Sequence, residues 1–233
     1  MAGKTALNKE MKHLNGAYFR TISTRRKDMK DYLEKLFEEH KNQFASLKEE
    51  ANKVAVTERW GYGVIPPFSL LPFYSEILGN KPGRFLKKKS LPGKNKCCYL
   101  LDAEDRIVNS IEYAKFSEFN NQWIVYNKFY FHDSESIIEY SFGSALENDT
   151  VVNLDSVKLV QLSEGRITKG YTLIISDAYE EYEYHYEDDR INFIETKIWW
   201  PETYFERNYK VTYNDNVLIE EVLNNGETLK IFP

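Results

Sequence analysis

The sequence predicts an α+β fold in which one long N-terminal helix packs on a C-terminal antiparallel β-meander of hairpin repeats. Three observations predict it. Apolar residues recur at helical spacing over residues 28–56, the apolar period changes to two from Cys97 onward, and aromatics are in excess, with 17 Tyr, 14 Phe and 4 Trp in 233 residues. Tyr and Phe favour pleated, half-buried surfaces. Gly (11) and Pro (7) are too few for a long disordered linker. The expected division is a basic helical region with an irregular loop over 1–96 and an acidic meander over 97–233, together forming one domain.

The helical pattern runs through Met29, Leu33, Leu36, Phe37, Phe44, Leu47, Ala51 and Val54. Most steps are three or four residues, which places these side chains on one stripe. Lys30, Asp31, Glu34, Lys35, Glu38, Glu39, Lys48 and Glu49 fill the opposite face. An unbroken helix of this span is about 40 Å long. It covers a sheet or, alternatively, pairs as a coiled coil.

Residues 57–96 read as irregular. Trp60 to Pro67 is a turn leading into an extended piece, Leu70 to Leu78 a short helix stopped by Gly79, and Lys81 to Lys96 a basic loop with seven Lys/Arg and no acid. From Cys97 five units repeat a strand, a polar turn and a return strand. Their turn residues are Asp105, Glu135, Gly165, Asp189 and Asn216, spaced 30, 30, 24 and 27 apart. Asn225-Gly226 marks one more hairpin before the last strand, Thr228 to Phe232.

The net charge of −5 conceals two unlike parts: residues 1–96 hold 20 Lys/Arg and 10 Asp/Glu, residues 97–233 hold 11 and 26. Such asymmetry points to a partner or to two oppositely charged faces of one globule. No run of 18 apolar residues is present, and the first ten residues lack the apolar core of a signal peptide. Adjacent Cys97 and Cys98 suit a reducing compartment, so the expected location is cytoplasmic.

Chemistry is sparse. The histidines, His13, His40, His132 and His185, stand in no HExxH or HxH pattern. His132 and His185 precede turns in corresponding units and would share a sheet side, which leaves a metal site with Asp133 and Glu187 open beside plain exposure. Cys97-Cys98 reads as strand filler or as a nucleophile pair. No cofactor and no metal are expected. The densest feature is Tyr179 to Asp189, with six carboxylates and four tyrosines. Period-two alternation places Glu181, Glu183, His185 and Glu187 on one face and Tyr182, Tyr184, Tyr186 and Asp188 on the other. That is either an ordinary amphipathic strand or an acidic recognition face.

Two segments carry a resemblance. Tyr184-His185-Tyr186-Glu187-Asp188-Asp189-Arg190-Ile191 and Val211-Thr212-Tyr213-Asn214-Asp215-Asn216-Val217-Leu218 resemble YD-type (RHS-like) β-hairpin repeats. In these, aromatic strands lead into a short acidic or Asn-rich turn and an aliphatic return. The chain thereby resembles a bacterial polymorphic-toxin immunity protein. The resemblance implies a cytosolic binding protein that neutralises a cognate toxin domain, itself a basic protein, by occluding it with an acidic Tyr-rich sheet face. The expected partner-binding residues are Glu180, Glu181, Tyr182, Glu183, Tyr184, His185, Glu187, Asp188 and Asp189. No catalytic residue comes with the pattern. The protein is expected to be a monomer or weak dimer that binds no membrane, and phosphates would be repelled by the acidic sheet. The alternatives are a scaffold dimerising through residues 28–56 and a metal-dependent hydrolase using His132 and His185.

Overall fold

The computed structural model of the chain describes residues 26–233. Thirteen strands form a single antiparallel sheet: β1 Thr57–Tyr62, β2 Arg84–Phe85, β3 Lys96–Leu101, β4 Ile107–Ser117, β5 Gln122–His132, β6 Ser136–Leu146, β7 Leu154–Ser163, β8 Arg166–Ile174, β9 Tyr179–Glu187, β10 Arg190–Trp200, β11 Thr203–Tyr213, β12 Val217–Val222 and β13 Thr228–Phe232. From β3 to β13 each strand pairs with its neighbours in sequence, and β1 then β2 extend the sheet beyond β3. The described helices are short: α1 Arg26–His40, α2 Phe44–Val54 and α3 Tyr74–Ile77.

This corrects the expected fold class. Among the described residues the chain is a thirteen-stranded sheet with three short helices, and no long helix packs on a meander. The apolar stripe over 28–56 is cut at Lys41-Asn42-Gln43, where no apolar residue falls between Phe37 and Phe44. The physical reason is the sheet's twist of roughly 20–25° per strand, which a straight rod 40 Å long cannot follow. Two shorter rods can. α1 lies over β7 and β8, and α2 over β3, β4 and β5. The stripe is spent on the sheet: Met29, Leu33, Leu36, Phe44, Leu47 and Ala51 are buried against Phe129, Tyr140, Phe142, Val157 and Leu159. This removes the coiled-coil alternative. On the outer side of α1, Lys30–Glu34 (3.4 Å) and Lys35–Glu39 (3.7 Å) link successive turns.

The region read as irregular also differs. Thr57–Tyr62 is a strand paired along its whole length with β3. Between β1 and β2 the chain makes a long excursion, residues 63–83, which crosses the opposite side of the sheet as a strap. Its neck is closed by two glycines: a Cβ on Gly83 would sit 2.4 Å from the Tyr62 carbonyl oxygen, and one on Gly63 would sit 2.5 Å from Gly83 Cα. Only glycine permits that approach. Gly79 ends the short helix with a left-handed φ of 73°.

The sheet therefore has a helix face and a strap face. The strap face gathers Leu70, Leu71 and Ile77 with Tyr130, Val160, Tyr182, Tyr184, Ile194 and Tyr209. Leu71, fully buried, enters a hole at Gly170, where any Cβ would meet Leu71 Cδ2 at 2.3 Å. A bulge at Asn192 in β10 lets Ile191 and Ile194 both point to this side while Phe193 turns to the other.

Across the same face runs a row of alternating charge: Glu112 on β4, Lys128 on β5, Glu139 on β6, Lys158 on β7 and Glu180 on β9, with Thr172 of β8 filling the gap. Lys158 reaches Glu139 at 2.7 Å, Lys128 bonds Glu112, and Ser141 Oγ donates to Glu139 at 2.9 Å. Burial alone would raise the Glu139 pKa, but the Lys158 and Lys128 ammoniums outweigh it and hold the carboxyl down at about 2. Glu180 lacks so close a cation, and burial pushes it up despite a 2.8 Å hydrogen bond from Tyr182 Oη. Tyr74 of α3 stands over this row. Its hydroxyl is pushed up to about 12 by burial and then by the Glu180 and Glu139 carboxylates.

Candidate functional site

Beyond β8 the helix face opens. On β9 to β11 the residues Glu183, His185, Lys197, Glu206, Asn208 and Lys210 are exposed on the side that α1 and α2 cover farther along the sheet. Two-residue alternation and the cross-strand register set this surface. Lys169 pairs opposite Glu183, Tyr171 opposite Glu181, Glu195 opposite Glu183, and Lys197 opposite both Glu181 and Glu206.

The acids on this surface are locally compensated. Lys169 lies 3.8 Å from Glu183, and His185 Nε2 bonds Glu195 at 2.9 Å. Glu181 accepts a 2.9 Å hydrogen bond from Tyr179 Oη. Five carboxylates (Glu181, Glu183, Glu187, Glu195, Glu206) stand among three lysines (Lys169, Lys197, Lys210). A stacked aromatic ladder closes one end: Tyr179 to Trp199 at 5.5 Å between ring centroids and Trp199 to Tyr204 at 5.0 Å. Burial, then Glu181 and Glu183, push the Tyr171 hydroxyl up to about 12. A depression of about 50 Å³ lies among Lys169, Tyr171, Glu181, Glu183, Glu195 and Lys197. Small-molecule sites are several-fold larger, about 300–1,000 Å³. The surface suits a broad, flat partner better than a substrate.

The nine residues expected to bind a partner divide into three groups. Glu181, Glu183 and His185 come together on the open face. Glu187, Asp188 and Asp189 lie at the strand end and turn, where Arg166 bonds the Asp188 carbonyl at 2.8 Å and pairs with the Asp189 carboxylate. Glu180, Tyr182 and Tyr184 point the other way, under the strap, and are 7%, 4% and 4% exposed. The alternation read from the sequence matches this placement, with Glu180 on the tyrosine side. Lys169 and Lys197 were missed, because only strand register brings them beside the acidic stripe. Trp199 and Tyr204 stack because the β10–β11 register sets them opposite each other.

Alternate turns of a meander share one rim. The five turns after β3, β5, β7, β9 and β11 line up there and, counted over 102–106, 133–135, 163–166, 187–190 and 214–216, hold ten acids and three arginines. Much of the excess negative charge of the meander sits on this rim. Several turn residues adopt left-handed φ without being glycine, among them Asp105 (62°), Glu164 (52°) and Asp188 (55°).

The other candidate chemistry is dispersed. His132 lies on the strap face and donates from Nε2 to the Ile107 carbonyl at 2.7 Å, whereas His185 is on the helix face. The two are on opposite sides of the sheet, which corrects the expectation that they share one. No group of three metal-ligating side chains occurs among the described residues. Cys97 and Cys98 are buried, and burial pushes their thiols up to about 11 and about 12, so neither is a thiolate at neutral pH. No described helix is long and apolar enough to cross a membrane. Comparison of the chain with protein-family models, curated proteins and solved structures finds no match.

Proposed function

We propose that the chain is a binding protein that docks a partner protein on the open helix face of β8–β11 and the adjoining acidic rim. The observation that carries this reading is a flat, exposed lattice of charges with an aromatic ladder beside a depression of only about 50 Å³. Tyr and Trp are frequent anchors of protein interfaces, and surrounding charges set orientation and association rate. In keeping with the YD-type resemblance, the partner is a cognate toxin domain in the cytoplasm, and the chain neutralises it by covering its working surface. The rim adds the attraction for a basic partner that the compensated face lacks.

The test takes the product of the neighbouring gene, which this reading requires to be a basic toxin domain. Co-expression should restore growth, and the purified proteins should form a stable complex. Reversing Glu183 and Glu187 to Lys should slow association about tenfold at low salt while leaving the melting temperature unchanged. Absence of both protection and binding would remove the immunity reading. Unaltered association in the charge-reversed variant would move the interface elsewhere on the molecule.

A further inference from the structure

The β1–β2 edge of the sheet, away from most of the acidic rim, carries the reverse charge. We infer that it is a docking site for the phosphate backbone of a nucleic acid, separate from the partner face proposed above. Six cations are exposed there: Arg59, Lys81, Arg84, Lys87, Lys88 and Lys94. Among the described residues none has a carboxylate within ion-pair distance; the neighbouring Lys89 does, 2.8 Å from Glu58. A group of uncompensated cations repels itself, so its retention at one corner calls for a partner that supplies the missing charge.

From the sequence alone this basic loop reads as solvated, with contact to nucleic acid as the alternative. The structure ties it down. Leu86 N–H donates to the Trp60 carbonyl at 2.7 Å, Gly63 N–H to the Asn95 carbonyl at 2.9 Å, and Asn95 N–H to the Tyr113 carbonyl at 3.0 Å. Lys96 braces the loop from within through Ser90 Oγ (2.8 Å) and the Leu91 carbonyl (3.0 Å). Arg59 is stacked 3.8 Å above the Phe85 ring centroid, which fixes its guanidinium and leaves its N–H edge for an acceptor. The cations are thus presented on a fixed frame, and less conformational entropy is lost on binding.

The overall negative charge does not cancel this. β3, six residues long, separates the loop from the nearest rim turn. At about 3.3 Å per residue that places Lys81, Arg84 and Lys94 roughly 20 Å from the turn; Arg59, opposite Tyr99, and Lys87 and Lys88, between Leu86 and Lys89, stand nearer, but in that turn Arg106 pairs with both Asp102 and Glu104. With Glu58 held by Lys89 and two acids of that turn paired with Arg106, the six cations dominate the local field. Lys and Arg donate hydrogen bonds and accept none. A protein surface offers donors and acceptors intermixed, whereas a phosphate backbone offers acceptors only, so an all-donor strip matches the latter.

The experiment titrates the full chain with a labelled 20-base-pair duplex and a 20-nucleotide single strand at 50 and 200 mM salt, read by fluorescence anisotropy. Four to six phosphate contacts should weaken duplex binding roughly 10²–10³-fold between those salts. Lys87→Glu with Lys88→Glu should weaken it at least tenfold and flatten the salt slope by about two. Lys197→Glu with Lys210→Glu, on the partner face, should leave it within twofold. The inference is overturned if binding is nearly salt-independent, if the loop variant binds like the parent, or if a polyglutamate peptide competes at equal charge. Loss of nucleic-acid binding in the loop variant with toxin binding intact would separate the two sites.

Discussion

The two faces of the sheet are covered by different kinds of chain, and what lies underneath differs accordingly. α1 and α2 present a continuous apolar stripe, so the strands below them offer Phe129, Phe142, Val157 and Leu159 in return. The strap presents three deeply buried aliphatic side chains, Leu70, Leu71 and Ile77, with aromatics at their margin. Below it the sheet supplies tyrosines and the Glu112–Lys128–Glu139–Lys158–Glu180 row. A regular helix can match a pleated surface with carbon alone. An irregular strap leaves gaps, and those hold polar groups: Lys128 pairs with Glu112 and Lys158 with Glu139 along the row, while Thr172 Oγ1 and Tyr184 Oη have no hydrogen-bond partner among the described residues. Buried pairs of this kind hold register more surely than they add stability.

The difference can be broken experimentally, starting with the largest effects. Phe44→Ala, which empties a site between Phe129 and Phe142, should cost about 3–5 kcal/mol in urea unfolding. Lys158→Met should cost a similar 3–5 kcal/mol, because it removes the one ammonium in direct contact with the buried Glu139 carboxylate and leaves only the more distant Lys128. Adding Glu139→Leu to that variant should recover most of the loss. If the double variant is no better than the single, the row is held by packing and the contrast between the faces fails. Leu71→Ala should cost about 2–5 kcal/mol and raise hydrogen exchange along the strap more than under the helices.

The pH response is smaller and has two signs. The folded-state pKa of Glu139 is depressed, so its stabilisation is full above the unfolded value near 4.5 and is lost as pH falls towards about 2. Glu180 is raised, so its effect is opposite: stability is greatest with the group protonated and declines as pH rises through its folded pKa. Glu180→Gln should therefore raise the melting temperature at pH 7 and do little at pH 4. Glu139→Gln should lower it at pH 7, and by less as the pH approaches 2. The smallest effect is on the rim. Glu164→Gly relieves a left-handed φ and should stabilise by up to about 1 kcal/mol. If it also slows toxin association, the rim charge is used in binding.

Much of the hairpin order was legible. The turn residues Asp105, Glu135, Gly165, Asp189 and Asn216 each fall in or at a connection between consecutive strands, because turn chemistry is local. The amphipathic reading of Tyr179–Glu187 matches the burial of that strand, because strand alternation is local too. The break at residues 41–43 was visible as a gap in the stripe but not as a need, since that need comes from the twist of a sheet made elsewhere. β1 was hidden because Gly61 and Gly63 read as a turn, and it becomes a strand by pairing with β3.

The candidate site divides in the same way. Which side chains of β9 share a face followed from the sequence. Which face is open did not, because that depends on where α1 stops and where the strap crosses. Lys169 and Lys197 sit beside Glu183 and Glu181 only through strand register, at separations of about 14–16 residues along the chain.

The sequence by itself determined the turns, the strand alternation and the uneven distribution of charge. Tertiary structure decided that the helix would be two, that a segment read as loop would become a strand and a strap, and that the acidic stripe would be flanked by lysines. The physical reason is range. Turn propensity and alternation act over a few residues, whereas cover, twist and cross-strand register depend on surfaces that exist only once distant segments have met.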